Sequence, residues 1–114
     1  MTPSNLIPGT LDLLVLKAVS LGAEHGYGLL LRIQRASRGA LAVEQGALYP
    51  ALFRLESQGL IEAEWGVSEN NRKAKFYTLT KDGKARLAND LSEWNRLVAA
   101  TEAVLSATRA TVLA

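Results

Sequence analysis

The residues with the clearest binding chemistry lie between positions 70 and 75, where two amides and three cations follow one another closely. Asn70, Asn71, Arg72, Lys73 and Lys75 can all donate hydrogen bonds, and the last three carry positive charge. Such a group can neutralise phosphates, and it can enter a minor groove when it lies at the tip of a hairpin. A basic tip can also be an ordinary solvated turn, so the elements around it decide its interpretation.

A helix predicted just upstream provides that context. Pro50 lacks an N–H and fits only near a first turn, so this helix should begin near Gly46 or Ala47, and Gly59 should end it. Four apolar residues recur at helical spacing and should face the core: Leu48, Ala51, Leu52 and Leu55.

The other residues of this helix point to contact with double-stranded DNA. Its N-terminal end should carry Gln45, Gly46, Tyr49 and Pro50, where free N–H groups suit phosphate and side chains can approach base edges. Arg54 could pair with guanine or phosphate and Gln45 could bind adenine, whereas Pro50 could touch only a thymine methyl or a sugar. We therefore expect little direct readout of bases. Tyr49 could equally pack, half-buried, against the preceding helix.

Two strands should flank the basic tip as a half-buried hairpin. The first alternates Ile61, Ala63 and Trp65 with Glu62 and Glu64, and the return strand carries Tyr77 and Leu79 on one face. A helix sized for the major groove followed by a basic hairpin is typical of a winged helix-turn-helix.

Two further helices should precede this unit. The first should run from Thr10, as N-cap, to about Leu21. Its residues Leu13 and Leu16 face away from its main apolar stripe, which predicts a subunit contact, unless the C-terminal helix of the same chain covers them. The only histidine, His25, is interpreted as a helix-entry residue, since no nucleophile motif lies near it.

A long C-terminal helix is predicted from about Lys81 to Leu105, with Thr80 as N-cap. Its apolar residues alternate by four and three positions, as in a coiled coil: Leu87, Leu91, Trp94, Val98, Thr101, Leu105, Thr108 and Val112. So small a domain cannot bury this seam, which predicts a homodimer, although bundling within one chain remains the alternative. Trp94 could fill the interface or could stack on an aromatic or hydrophobic small-molecule effector.

Composition excludes several classes of protein. A chain of 114 residues suits one compact domain, and the absence of cysteine removes disulfides and thiolate metal sites. Basic residues exceed acidic ones over residues 1–86 (11 against 8) but not beyond (2 against 3), so the charge favours a polyanion partner near the hairpin.

The N-terminus lacks a signal-peptide pattern, and no span suits a membrane, so we expect a cytoplasmic protein. No spacing predicts an enzyme, a metal site or a cofactor.

Several motifs agree in order and spacing with a known family. HGYG, GALYPALFRLESQGLI, EWG, a basic tip and FYTLTKDG closely resemble the PadR family of bacterial transcriptional regulators, over roughly residues 9–105. The SENNR tip and the VEQG lead-in resemble a PadR-related subgroup found in acidobacteria.

The resemblance implies a homodimeric repressor that binds an inverted-repeat operator and is released by a small-molecule or stress signal. Residues 46–54 would form the recognition helix, residues 70–75 the wing, and the segment after Thr80 the dimerisation helix. Ala47 stands where many relatives have Ser or Thr, so backbone N–H groups would have to replace a hydroxyl there.

The expected fold is mostly α with a small two-stranded wing (α+β). Residues 1–80 should form the winged helix-turn-helix, and residues 81–114 the C-terminal dimerisation helix, as one compact unit. A winged helix can also serve as a protein-interaction module, or the chain could bind a small molecule without binding DNA.

Overall fold

The computed structural model describes residues 9–113 of the chain, as five helices and three strands. In chain order the elements are α1 (Thr10–Ser20), β1 (Glu24–His25), α2 (Gly26–Ala36), α3 (Gln45–Ser57), β2 (Ile61–Val67), β3 (Lys73–Leu79), α4 (Lys81–Leu105) and α5 (Arg109–Leu113). The expected class, mostly helical with a small antiparallel sheet, is confirmed. Residues 1–8 and 114, which the predicted domain bounds include, lie outside the described residues.

The sheet has three strands rather than the two predicted. Its order is β1-β3-β2, and all neighbours are antiparallel. The additional strand is only two residues long: Glu24 pairs with Tyr77 and His25 with Phe76. Two residues are too few to show the alternation by which a strand is predicted from sequence.

The core lies among α1, α2, α3 and the inner face of the sheet. The predicted stripe of α3 is confirmed, since Leu48, Ala51, Leu52 and Leu55 are all buried. α3 begins at Gln45, slightly earlier than expected, which makes Pro50 its sixth residue. Proline has no N–H, so the carbonyl of Gly46 lacks the usual hydrogen bond from the residue four positions later.

The prediction that Leu16 forms a subunit contact is wrong. Its side chain is 0% exposed and belongs to the hydrophobic core together with Val15 and Val19. α1 packs against α2, α3, β3 and α4, so its buried surface is much wider than one stripe. Leu13 is half-buried beside Trp94 and Leu97 of α4.

The start of α1 also differs from the prediction, whereas that of α2 agrees with it. α1 begins after Gly9, which has a φ of 89° and serves as N-cap, so Thr10 is the first helical residue and not the cap. In α2, Nδ1 of His25 accepts a hydrogen bond of 3.1 Å from the N–H of Gly28. His25 is therefore the predicted helix-entry residue, and its ring is engaged in capping.

The predicted bounds of α4 are confirmed. Oγ1 of Thr80 accepts from the N–H of Gly83 at 3.0 Å and donates to the carbonyl of Gly59 at 2.6 Å, so one hydroxyl ties the end of α3 to the start of α4. The rest of α4 extends away from the core, and the described residues span 64 × 35 × 20 Å. Within residues 9–113, no helix is both long and apolar enough to cross a membrane.

Candidate nucleic-acid interface

The outward face of α3 is open to solvent at its N-terminal end. Gln45, Gly46, Tyr49 and Pro50 are all exposed there, and Phe53 is 72% exposed. The side chain of the N-cap Glu44 makes no capping bond, while its carbonyl accepts from the N–H groups of residues 47 and 48. The N–H groups at the very start of a helix have no helical acceptor, so those of α3 can meet an anion.

Arg54 lies on the same face but already has a partner. Its Nη2 donates to Oδ1 of Asp12 at 2.8 Å, and about half of its side chain is exposed. The sequence predicts Arg54 as a donor available to DNA, because its partner Asp12 belongs to another helix, 42 residues earlier. A base or phosphate contact by Arg54 therefore requires it to leave or share Asp12.

β2, β3 and the loop between them form the wing. The loop is closed by backbone bonds from Ser68 to the carbonyl of Arg72 (2.8 Å) and from Asn71 to the carbonyl of Ser68 (2.9 Å). Asn71 has a φ of 56°, a left-handed conformation that asparagine tolerates better than most residues. Asn70, Asn71, Arg72 and Lys73 are all exposed, so the structure brings the predicted wing residues together at one tip.

A cleft of about 810 Å³ lies between this wing, the N-terminal part of α2 and Tyr49. Five cations and two carboxylates are among its lining residues: Arg32, Arg35, Arg72, Lys73, Lys75, Glu24 and Glu69. Arg32 is held internally, because its Nη1 donates to the carbonyls of residues 18 (2.9 Å) and 22 (2.6 Å). The other four cations give the cleft a positive rim.

Several residues of this cleft were not among the predicted site residues, Tyr27 and Arg35 among them. Tyr27, which is half-exposed, and Arg35 belong to α2 and face the wing across the cleft. The sequence shows a basic edge on this helix, but it cannot show that β1, by pairing with β3, brings the start of α2 beside the wing.

Tyr49 packs against α2, which is one of the two roles that the sequence left open. Its ring lies across the first residue of α2, where a Cβ added to Gly26 would come within 2.7 Å of Cε1. Nearly half of Tyr49 is nevertheless exposed to the cleft.

Tyr77 also lines the cleft. Burial raises the pKa of its hydroxyl, with smaller contributions from the nearby Glu56 and Tyr49.

A second, apolar surface runs along α4. Among the predicted seam residues, Leu87, Trp94 and Val98 are half-buried, whereas Leu91 and Leu105 are exposed, the latter by 81%. Trp94 lines a groove of about 430 Å³ with Leu13 and Leu97.

The apolar face is wider than predicted, because Leu97 and Val104 are also largely exposed. They lie seven residues apart and flank the predicted seam, a spacing that the sequence already contained.

In residues 9–113 no group of three or more His, Cys, Asp or Glu side chains is placed to hold a metal ion.

Comparison with known proteins identifies the family. Residues 15–89 match the "Transcriptional regulator PadR-like family". The chain belongs to this family. The PadR-family match covers α2, α3 and the wing completely, together with the first turns of α4.

Individual relatives agree with this assignment. The chain is 31% identical over 94 residues to an uncharacterized protein of Lysinibacillus sphaericus, covering 82% of this chain and 86% of the relative. It is 40% identical over 66 residues to the transcriptional regulator Rv3488 of Mycobacterium tuberculosis, covering 58% of each. A crystal structure of a PadR family transcriptional regulator from Eggerthella lenta is similar with a TM-score of 0.74 at 30% identity, covering 88% of this chain and 85% of that one.

The resemblance inferred from the motifs is thereby confirmed, and the PadR-family chain is a DNA-binding transcriptional regulator. The winged-helix architecture is confirmed by the same structural similarity.

Proposed function

We propose that this PadR-family regulator is a homodimeric repressor that binds an inverted-repeat operator through α3 and the wing. The observation that carries the proposal is the cleft, which Arg35, Arg72, Lys73 and Lys75 line together with Tyr49 of α3. A helix end that offers free N–H groups beside a cationic hairpin suits a phosphate backbone on either side of a groove.

The contacts divide into positioning and reading. Arg72 and Lys73 at the wing tip, with Lys75 behind them, would neutralise phosphates. Asn70 would donate a hydrogen bond to a phosphate, and Asn71 would shape the loop that presents these residues. On α3, Gln45 is the exposed side chain best able to bind a base edge, since Arg54 is paired with Asp12. Specificity would then depend strongly on DNA shape and on the spacing of two half-sites.

The dimer would form through α4. An exposed face containing Leu91, Leu97, Val104 and Leu105 is too apolar for a free surface, and a two-fold axis would let two copies cover it mutually. Residues 1–80 would then act as the DNA-binding part, and residues 81–114 would set the distance between the two wings.

An effector site is proposed at Trp94. The groove beside it is lined by Leu13 and Leu97, with Asp90 and Glu93 at its edge, so it suits a flat aromatic or hydrophobic molecule. Release from DNA requires that such a molecule bind more tightly to a dimer whose recognition helices no longer match the operator.

The wing's part in this proposal is tested by Arg72→Glu with Lys73→Glu. The double variant should bind every DNA sequence at least about tenfold more weakly, because phosphate contacts carry no sequence preference. The plot of log affinity against log salt should flatten by about 0.9 for each phosphate that the variant no longer neutralises. Both quantities can be measured by fluorescence anisotropy with labelled duplexes.

Lys81→Glu with Arg109→Glu is the matched control, since it makes the same change in net charge at exposed positions away from the cleft. The control should keep nearly the wild-type affinity. An equally large decrease in affinity in the two double variants would mean that overall charge, and not the wing, determines binding.

A further inference from the structure

Trp65 is an aromatic residue on β2 that the core does not bury. It is 64% exposed, although it shares a strand face with the buried Ile61. Lys75 lies directly opposite Trp65 in the register of β2 and β3, and Lys73 lies opposite Val67, two positions further along. All four side chains therefore project from the same face of the wing.

Both lysines place their ammonium groups at this ring. Nζ of Lys73 is 5.7 Å and Nζ of Lys75 is 5.8 Å from the centroid of the Trp65 ring. A cation within about 6 Å of a tryptophan ring is attracted by the negative face of its π system. Nζ of Lys75 is also 3.8 Å from Oε1 of Glu56, whereas no ion pair is found for Lys73 among the described residues.

We propose that Trp65 is a positioning residue for DNA binding, whose ring holds the ammonium groups of Lys73 and Lys75 at the rim of the cleft for contact with backbone phosphates. This inference rests on the proposed function. Both lysines line the cleft, but Trp65 does not, so its effect is transmitted through them. An ammonium group has three donors, and its approach to a ring leaves donors available for phosphate.

The physical advantage is pre-organisation. A free lysine side chain has many rotamers, and fixing it against a phosphate has a large entropic cost. Because the Trp65 ring already restricts both lysine side chains in the free protein, much of their ordering occurs before DNA binds. Removal of the ring should weaken DNA binding by about three- to tenfold, as expected when exposed cation–π contacts to two lysines are removed.

A double-mutant cycle tests the coupling. Trp65→Leu, the pair Lys73→Met and Lys75→Met, and all three together are compared in affinity for one duplex at fixed salt. Trp65→Leu should weaken binding in the wild-type background but should have no effect once both lysines are gone. Trp65→Phe should restore most of the affinity, because it returns an aromatic face.

Two further measurements separate positioning from folding. Val67→Ala removes exposed apolar bulk from the same face without removing a ring and should bind DNA as the wild type does. Without DNA, the ring current of Trp65 should shift the NMR signals of the lysine Hε atoms upfield, and Trp65→Leu should abolish this shift while leaving the thermal midpoint within a few degrees.

The possible failures are distinguishable. If Trp65→Leu weakens binding equally with and without the lysines, or if it tightens binding, Trp65 does not act by positioning them. If wild-type protein shows the lysine shift but has no salt-dependent affinity for DNA, the proposed function itself fails.

Discussion

At the scale of single residues, Gly83 is the glycine with the least room for a side chain among the described residues. A Cβ built on it would lie 1.9 Å from the carbonyl oxygen of Leu60, a backbone atom that cannot move aside as a side chain can. Gly83→Ala should therefore lower the free energy of unfolding by about 3 kcal/mol or more, through forced separation of α4 from the end of α3. Chemical denaturation at one fixed protein concentration measures the change.

Gly46→Ala is the control for this substitution. Nothing lies within 4 Å of a Cβ at Gly46, which also belongs to a helix, so alanine there should stabilise the fold by about 0.5–1 kcal/mol. A Gly83→Ala protein as stable as the wild type would show that α4 does not pack this closely on Leu60.

Tyr77 should make the fold sensitive to alkaline pH. Burial, with Glu56 and Tyr49 nearby, raises the pKa of its hydroxyl in the folded state. The unfolded chain has the ordinary pKa of about 10, so the contribution of Tyr77 to stability is complete below that pH and is lost as the pH rises through the higher folded value. Tyr77→Phe should remove this part of the alkaline decline.

The measurement is the free energy of unfolding of wild type and Tyr77→Phe between about pH 8 and pH 11. Tyr27→Phe, at a half-exposed tyrosine at the mouth of the same cleft, should keep the wild-type decline because Tyr77 is intact. Parallel curves for wild type and Tyr77→Phe over the whole range would contradict the role given to Tyr77.

At the scale of elements, the features that depend on neighbouring residues in the chain were predicted better than those that depend on tertiary contacts. The bounds of α4 followed from Thr80, whose capping hydroxyl the structure confirms, and from a periodic helix pattern. The core stripe of α3 was also visible, because helical spacing determines which residues share a face. These features depend on neighbours within a few positions along the chain.

The errors arose where a distant partner decides the outcome. Leu16 is buried because several elements surround α1. A helical-wheel projection does not show how many elements pack against a helix. Arg54 is paired with Asp12 on another helix, which the sequence of α3 does not reveal. Trp65 follows the predicted alternation, yet the core ends before it, so its environment is the two lysines and not the interior.

The prediction about dimerisation concerns the exposed apolar face of α4. Leu91→Glu with Leu105→Glu places charges on the exposed apolar face, so it should convert a dimer to a monomer through like-charge repulsion and reduced apolar burial. Light scattering after size-exclusion chromatography gives the mass directly. DNA affinity should fall as well, since one wing and one α3 bind more weakly than two.

Leu21→Glu with Val67→Glu introduces the same charges at two residues exposed to a similar extent but outside α4. This control should keep the wild-type mass. A wild-type protein that is already monomeric at micromolar concentration, or a Leu91→Glu and Leu105→Glu protein that stays dimeric, would contradict assembly through this face.

At the scale of the whole molecule, the protein carries two surfaces of different chemistry. The cleft beside α3 and the wing is cationic and open, whereas the exposed part of α4 is apolar. A basic surface without the apolar one would bind DNA without fixed spacing, and the apolar surface alone would only bring two copies together. The proposed function therefore requires both to act in one assembly.

The most direct test of DNA binding by this protein is a titration of labelled DNA from upstream of its own gene, at several salt concentrations, against unlabelled upstream and random competitors. We expect log affinity to fall linearly with log salt, with a slope of about −0.9 for each phosphate neutralised, and upstream DNA to compete much better than random DNA. An affinity that does not change with salt, with both competitors equally effective, would contradict the proposed function.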